Sequence, residues 1–275
     1  MKCNLCYSQK LKFKIKKRAV NYYKCINCGL IQQLPLPKFN EIKNIYDSDE
    51  IYCNQAEIGS KEGFFYSIMK FYLRNKKIRI LDVGASTGTM LALLKSKGYK
   101  NLEGIELSSR SCKIAREKFE LNFKNIDISK ANFPSNYFDF IIINHVIEHL
   151  RNPIIALKNV NQFLKINGIL FLSTPNSACL NARLVRKNWR YYIPDEHIFL
   201  YNQNSIKFLL NKIGFEIVEV KNILYNQVNI FEYMVEIIKP MLGYIRRKLF
   251  RKELSNNFMT NRDGMILISR KIKTL

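Results

Sequence analysis

Ile80-Leu-Asp82-Val-Gly84-Ala-Ser86-Thr-Gly88 is an apolar run that breaks into a glycine-bounded loop, and a helical pattern, Met90–Ser96, follows it. A short apolar run bounded by turn residues is the pattern of a buried strand. Two glycines before a helix allow the backbone to approach a ligand that a Cβ would block. Working outward, the same alternation repeats. Leu102-Glu-Gly-Ile105-Glu106 predicts a second strand, and Ser108 caps a helix running to Phe119. Asn122–Ile126 predicts a short third strand, and Phe138-Asp-Phe-Ile-Ile-Ile143 one buried on both faces. Pro153 opens a helix to Leu164, Asn167-Gly168 is read as a turn, and Ile169–Ser173 as the fifth strand. A helix over 204–212 leads to Phe215–Val220, and Met265–Arg270 is the expected last strand. Strands alternating with helices imply a mostly parallel sheet with helices on both faces.

In such sheets ligands bind beyond the carboxyl ends of the strands. The glycine loop stands at that place, and so does Glu106, where a carboxylate can accept both hydroxyls of a ribose. The spacing is not G-x-G-x-x-G, because Ser86 and Met90 fall where glycine would be needed.

These segments together resemble the class I S-adenosylmethionine-dependent methyltransferases over about residues 76–221. Leu81-Asp-Val-Gly84-Ala-Ser86-Thr-Gly88 is similar to the family's first motif, with Ser86 replacing the commoner middle glycine. Glu106 matches the ribose-binding acid, and Asp127-Ile128 the pair that holds the adenine. Phe138-Asp-Phe-Ile-Ile-Ile-Asn144-His145-Val-Ile-Glu148-His149-Leu150 resembles the fourth-strand motif beside the methionine moiety. Leu164-Lys-Ile166-Asn167-Gly168 and Ser173-Thr-Pro175-Asn176 continue the pattern, with Ile166-Asn167 where Pro-Gly is usual. The resemblance implies a Rossmann-like seven-stranded α/β fold. It also implies that Asp82, Gly84, Ser86, Gly88, Glu106, Leu107, Asp127, Ile128 and Asn144 hold S-adenosylmethionine. It leaves the acceptor, and O-, N- or C-methylation, open.

The chain has three histidines, His145, His149 and His197. His145-Val-Ile-Glu148-His149 fits the H-x-x-E-H spacing of inverted zinc peptidases, but it follows a buried strand instead of lying within a helix. His197 lies in Pro194-Asp-Glu-His197, inside an insertion at about 174–201 that in methyltransferases of this kind helps to cover the substrate. His197 is the first candidate for a general base and His145 the second, with structural hydrogen bonding as the alternative for each.

The 275 residues carry 45 Lys+Arg against 22 Asp+Glu, a formal charge of +23, with 47% apolar residues, a globular composition. Residues 1–43 hold +9 of that charge and residues 239–275 hold +8, leaving +6 for the 195 residues between. A partner attracted by charge, RNA or an anionic membrane surface, is therefore sought at the two ends, with solvated lysine as the plain alternative.

At the first of these ends Cys3-Asn-Leu-Cys6 and Cys25-Ile-Asn-Cys28-Gly29 have zinc-ribbon spacing, and Lys12–Lys16 with Tyr22–Lys24 read as a hairpin. A stretch this short cannot bury a sufficient core, so a structural zinc on Cys3, Cys6, Cys25 and Cys28 is expected. Two unrelated cysteine pairs or a redox dithiol is the alternative. The expected division is a ribbon over 1–37 and a methyltransferase domain over 41–275, with a basic amphipathic insertion at about 224–258. The uncharged run 166–182 is broken by polar residues, so no membrane span is expected. With no apolar h-region at the N-terminus, a cytoplasmic location is expected. The preferred acceptor is a small molecule, sugar or glycan precursor. RNA is the alternative, and a non-catalytic binding protein on the same fold a distant one.

Overall fold

The computed structural model describes residues 1–42, 57–223 and 264–274. Its central sheet has seven strands. They are β4 (Arg79–Val83), β5 (Asn101–Glu106), β6 (Phe123–Asn125), β7 (Phe138–Asn144), β8 (Leu164–Pro175), β10 (Phe215–Ile223) and β11 (Gly264–Lys271). Their order is β10-β11-β8-β7-β4-β5-β6. All neighbours are parallel except β11, which is antiparallel to both β8 and β10. Chain order reverses between β4 and β7, so their carboxyl ends open a crevice there.

The helices that accompany the sheet include α1 (Ser60–Met69), α2 (Thr89–Ser96), α3 (Ser109–Phe119), α4 (Pro153–Phe163), α5 (Leu180–Val185) and α6 (Gln203–Lys212). Each of three helix starts follows from its own residues. Ser108 Oγ accepts the Ser111 N–H, Pro153 occupies the first turn of α4, and Asn202 accepts the Ser205 N–H. β4, β7 and β8 are buried on both faces, as their unbroken apolar runs require. Two apolar cores result, one on each face of the sheet.

One local reading changes. Instead of beginning after an Asn167-Gly168 turn, β8 starts at Leu164 and runs through it: Phe138 pairs with Leu164 but Phe140 with Ile169, so the extra residues bulge out. Asn167, at φ +64°, supplies the left-handed turn of that bulge. Ahead of β4 the chain is helical over Ser60–Met69; residues 43–56 lie outside the described residues, as does the basic insertion at 224–258.

The N-terminal segment forms β1 (Leu11–Lys17), β2 (Val20–Cys25) and β3 (Ile31–Leu34), an antiparallel meander. It does not stand apart. A fourth strand, β9 (Phe199–Leu200), comes from the 174–201 insertion and pairs with β3. Gln33 reinforces the junction: its amide donates to Asp195 Oδ1 at 3.1 Å and accepts from the Asp195 backbone N–H at 3.1 Å. Tyr22 packs edge-on against Tyr192, 5.1 Å between centroids, within a cluster that includes Trp189, Ile31 and Leu200. Cys3, Leu5, Cys25, Cys28 and Leu30 belong to the same buried core as Tyr201, Ile206 and Leu209. Ribbon and insertion are thus one packed unit. Among the described residues no helix is long and apolar enough to cross a membrane.

Candidate active site

Beyond the carboxyl ends of β4, β5 and β7 lies a cleft lined by Asp82, Gly84, Ser86, Glu106, Leu107, Asp127, Ile128, Asn144 and His145. Of the nine residues expected to hold the cofactor, Gly88 does not line it. Gly88 begins α2 at φ +88°, where a Cβ would sit 3.0 Å from Phe123 and 3.3 Å from Ala115, so its lack of a side chain serves the packing of α2 against its neighbours. Gly84 is also left-handed, at φ +70°, and a Cβ there would lie 2.4 Å from Val146 Cγ2. Ser86 adopts φ +49°. That is a conformation glycine takes readily and serine does not, which is why glycine suits this loop position.

Glu106, the last residue of β5, is buried and points both oxygens at backbone. Oε2 accepts the Ser86 N–H at 2.8 Å and Oε1 accepts the Ser108 N–H at 2.8 Å. Two N–H groups fix the plane of the carboxylate and offset part of its desolvation. Asp127 accepts the Ser129 N–H through Oδ1 at 2.6 Å, leaving its other oxygen for the cleft, and Ile128 is buried beside it. Asn144 ends β7 and accepts a hydrogen bond from Ser173 Oγ.

Asp82 is buried at the base of the cleft. Burial, with the Glu106 charge nearby, raises its carboxyl to about 8. The folded chain therefore holds this proton more tightly than the unfolded one. Its contribution to stability is complete below about pH 4 and is lost as pH climbs from there to about 8. Asp82→Asn should flatten that part of the curve in chemical denaturation between pH 5 and 8. An unchanged slope would show that Asp82 is ionised in the folded chain.

His145 follows β7 at φ +55°, a strained position for a residue with a Cβ. Its Nδ1 lies 3.1 Å from Glu148 Oε1, and Glu148 Oε2 accepts the Thr174 hydroxyl at 2.9 Å. Burial would raise the Glu148 carboxyl, but the His145 hydrogen bond and the surrounding imidazoles outweigh it and hold it at about 2. His197 is not among the cleft-lining residues. It is buried in the insertion, its Nδ1 2.9 Å from the Tyr191 carbonyl, and burial lowers its pKa to about 3, so it is neutral near pH 7. His149 does line the cleft, packs edge-on to His197 with centroids 4.7 Å apart, and is also lowered by burial.

Several cleft residues were invisible in the motifs. Lys61 and Glu62 come from α1, and Glu62 accepts the Thr89 hydroxyl at 2.9 Å. Arg151 lines the cleft from the end of the His145–Leu150 turn. No spacing rule links Lys61 and Glu62 to a loop more than twenty residues downstream, whereas Arg151 directly follows the Asn144–Leu150 motif.

The family of methyltransferase domains matches residues 62–220. The chain belongs to the methyltransferases. The match covers more than half of the chain and contains every cofactor position named above. The ubiquinone/menaquinone biosynthesis C-methyltransferase of Campylobacter jejuni is 29% identical over 148 residues, which are 50% of this chain and 62% of that protein. The chain thus spans about three fifths of the length of that relative. The ubiquinone biosynthesis O-methyltransferase of Pelagibacter ubique is 24% identical over 230 residues, covering 74% and 88% of the two chains. Among solved structures, the [4+2]-cyclase SpnF shares this methyltransferase's fold with a TM-score of 0.61 at 15% identity, covering 86% of this chain and 97% of its own. A methyltransferase from Methanosarcina mazei aligns with a TM-score of 0.55 at 20% identity over 75% and 98%.

The ribbon places the four thiols together. Cys3 Sγ lies 3.6 Å from Cys28 Sγ, Cys6 Sγ 3.5 Å from Cys25 Sγ, and all four lie within 4.8 Å of one another. A tetrahedral zinc with bonds of about 2.3 Å sets sulfurs roughly 3.8 Å apart, whereas a disulfide needs about 2.05 Å. The donor set fits a closed metal site.

Proposed function

We propose that this methyltransferase transfers the methyl group of S-adenosylmethionine to a small-molecule acceptor that carries an anionic group, such as a phosphate-linked sugar. The observation that carries the reading is Glu106, a carboxylate locked by two backbone N–H groups at the reversal point of the sheet. In this reading Glu106 takes both ribose hydroxyls, Asp127 accepts from the adenine amine, Ile128 packs on the ring, and Asn144 faces the methionine end. The bound sulfonium supplies an activated methyl group, and in-line displacement then asks mainly for alignment and, for a hydroxyl acceptor, a base. Lys61 and Arg151 on the cleft wall favour an acceptor with negative charge.

His145 is the base in this reading. It is on the cleft, and Glu148 fixes the orientation of its ring. His197 becomes a positioning residue that anchors the insertion through Tyr191. His145→Gln should lower kcat by roughly 10²–10⁴-fold while leaving S-adenosylmethionine affinity within about threefold; equal kcat in the two proteins would remove His145 as base. A structural zinc on Cys3, Cys6, Cys25 and Cys28 completes the reading. It closes the ribbon that braces the insertion and has no place for substrate.

The acceptor is tested with methyl-labelled S-adenosylmethionine and two pools, phosphate-linked sugars and total RNA. Labelling of the sugars supports the proposal, and labelling of RNA alone overturns the acceptor class.

A further inference from the structure

Charge that the sequence places in two distant stretches meets in the fold. Residues 1–40 carry nine Lys and Arg and residues 176–194 carry four, and neither stretch holds an Asp or Glu. The two pack as one unit. β9 extends the ribbon sheet, and Lys17 Nζ donates to the Lys187 carbonyl at 3.1 Å, which sets the β1–β2 turn with Arg18 beside residues 186–188. In the ribbon, Lys12 lies directly opposite Lys24 across β1 and β2. Like charges facing each other destabilise a sheet, and an anion shared between them offsets that. Tyr22 and Lys24 are two positions apart in β2 and so share a face. On that face Tyr22 and Ile31 pack against Trp189 and Tyr192 of the insertion. Lys12, Lys24, Arg183 and Arg186 are all exposed, and the ion pairs of the described residues include none of them.

The partner's chemistry follows from what surrounds these cations. Leu180 at the start of α5, and Phe13 and Ile26 on the ribbon, are each more than half exposed. Aliphatic side chains among cations match the boundary between lipid headgroups and acyl chains. Single-stranded nucleic acid asks instead for aromatic faces on which bases stack. On the insertion those faces are turned inward, because Trp189, Tyr191 and Tyr192 are buried. We propose that ribbon and insertion together form a docking surface for an anionic lipid membrane, met peripherally and not spanned. Lysine and arginine hold the headgroup phosphates, and Leu180 and Phe13 enter the interface. The insertion also reaches the cleft, where His197 packs on His149, so the docked chain holds its cleft near the headgroups. A phosphate-linked sugar carried by a lipid is then within reach; that use rests on the proposed acceptor, whereas the surface does not.

Co-sedimentation of the zinc-loaded chain with vesicles of equal parts phosphatidylcholine and phosphatidylglycerol tests this. The wild type should bind these vesicles and not pure phosphatidylcholine, and the binding should fall as salt rises. Each basic residue near such a surface contributes about fivefold in affinity. Lys12→Gln/Lys24→Gln and Arg183→Gln/Arg186→Gln should therefore each weaken binding roughly 25-fold, and the four together more than either pair. Lys77→Gln/Lys100→Gln, exposed at the amino ends of β4 and β5, is the control and should stay within about twofold. Zinc content and the thermal midpoint show whether each variant is folded. Absence of binding to the anionic vesicles, equal weakening in the control, or a loss confined to one of the two pairs overturns the proposal. So does tight binding of total RNA by a chain that leaves the vesicles alone. Vesicle binding by a chain that methylates no phosphate-linked sugar supports the surface and removes only that use.

Discussion

Glu106→Ala is expected to weaken S-adenosylmethionine binding by at least about 100-fold. In the proposed reading the carboxylate accepts two charge-assisted hydrogen bonds from the ribose hydroxyls, each worth about 1.5–3 kcal/mol. Together these correspond to roughly 10²–10⁴ in affinity. The loss has a second source. Without Glu106 the N–H groups of Ser86 and Ser108 lose their acceptor, and Ser86 keeps its left-handed backbone with less to hold it there. Glu106→Gln separates the two effects. Its amide keeps the shape but presents an NH2 to one of two N–H donors, so it too should bind at least tenfold more weakly. Calorimetric titration measures the affinities, and the thermal midpoint shows whether each variant is folded. Unchanged affinity in a folded Glu106→Ala would mean that the ribose lies elsewhere.

The second large effect concerns a part of the chain remote from the cofactor residues. Loss of metal from the ribbon, by Cys28→Ser or by chelation, should reduce methyl transfer by about 100-fold or more while leaving S-adenosylmethionine affinity within about threefold. The residues expected to hold the cofactor lie at or just past the ends of β4, β5, β6 and β7, none of them in the ribbon. The insertion is different. β9 pairs with β3, Gln33 grips Asp195, Asn202 donates to the Gly29 carbonyl at 3.0 Å, and Lys17 reaches the Lys187 carbonyl at 3.1 Å. A small ribbon without its metal has too little core to stay folded. The insertion then loses its partner strand, and His197 and the elements around the acceptor lose their placement. Misplacement on the order of 1 Å is enough for a 100-fold loss. Zinc content, single-turnover methyl transfer and cofactor titration on the same preparation check this. Full transfer by zinc-free protein would show that the insertion stands without the ribbon.

The parts of this arrangement that could be read from the sequence share one property: the signal is local. β4 and β7 are unbroken apolar runs, Gly84 and Gly88 punctuate a strand-to-helix turn, and Glu106 and Asp127 sit at or just past strand ends where only a few side chains can reach a ligand. Cys3, Cys6, Cys25 and Cys28 carry their spacing with them. What escaped notice depends on partners far away in the chain. Ile31-Gln-Gln-Leu34 has two amides in four residues, yet both are buried: Gln32 bridges Asn4 and Lys2, and Gln33 binds a residue 162 positions away. β9 is two residues long and is a strand only because β3 is there to pair with it. Ribbon and methyltransferase domain consequently read as separate pieces, while the structure joins the ribbon to the insertion in one four-stranded sheet. His197 stood out by residue type and neighbourhood, but its direction is set by the Tyr191 carbonyl, which no spacing reveals.

The central claim, that the cleft at the end of β4 and β5 binds S-adenosylmethionine, is tested most directly by calorimetric titration of that molecule into the zinc-loaded wild-type chain. The expected result is one saturable equivalent per chain, displaced by S-adenosylhomocysteine and lost in Glu106→Ala. No saturable binding up to about 1 mM, where a binding free energy of only about 4 kcal/mol would already register, would contradict it.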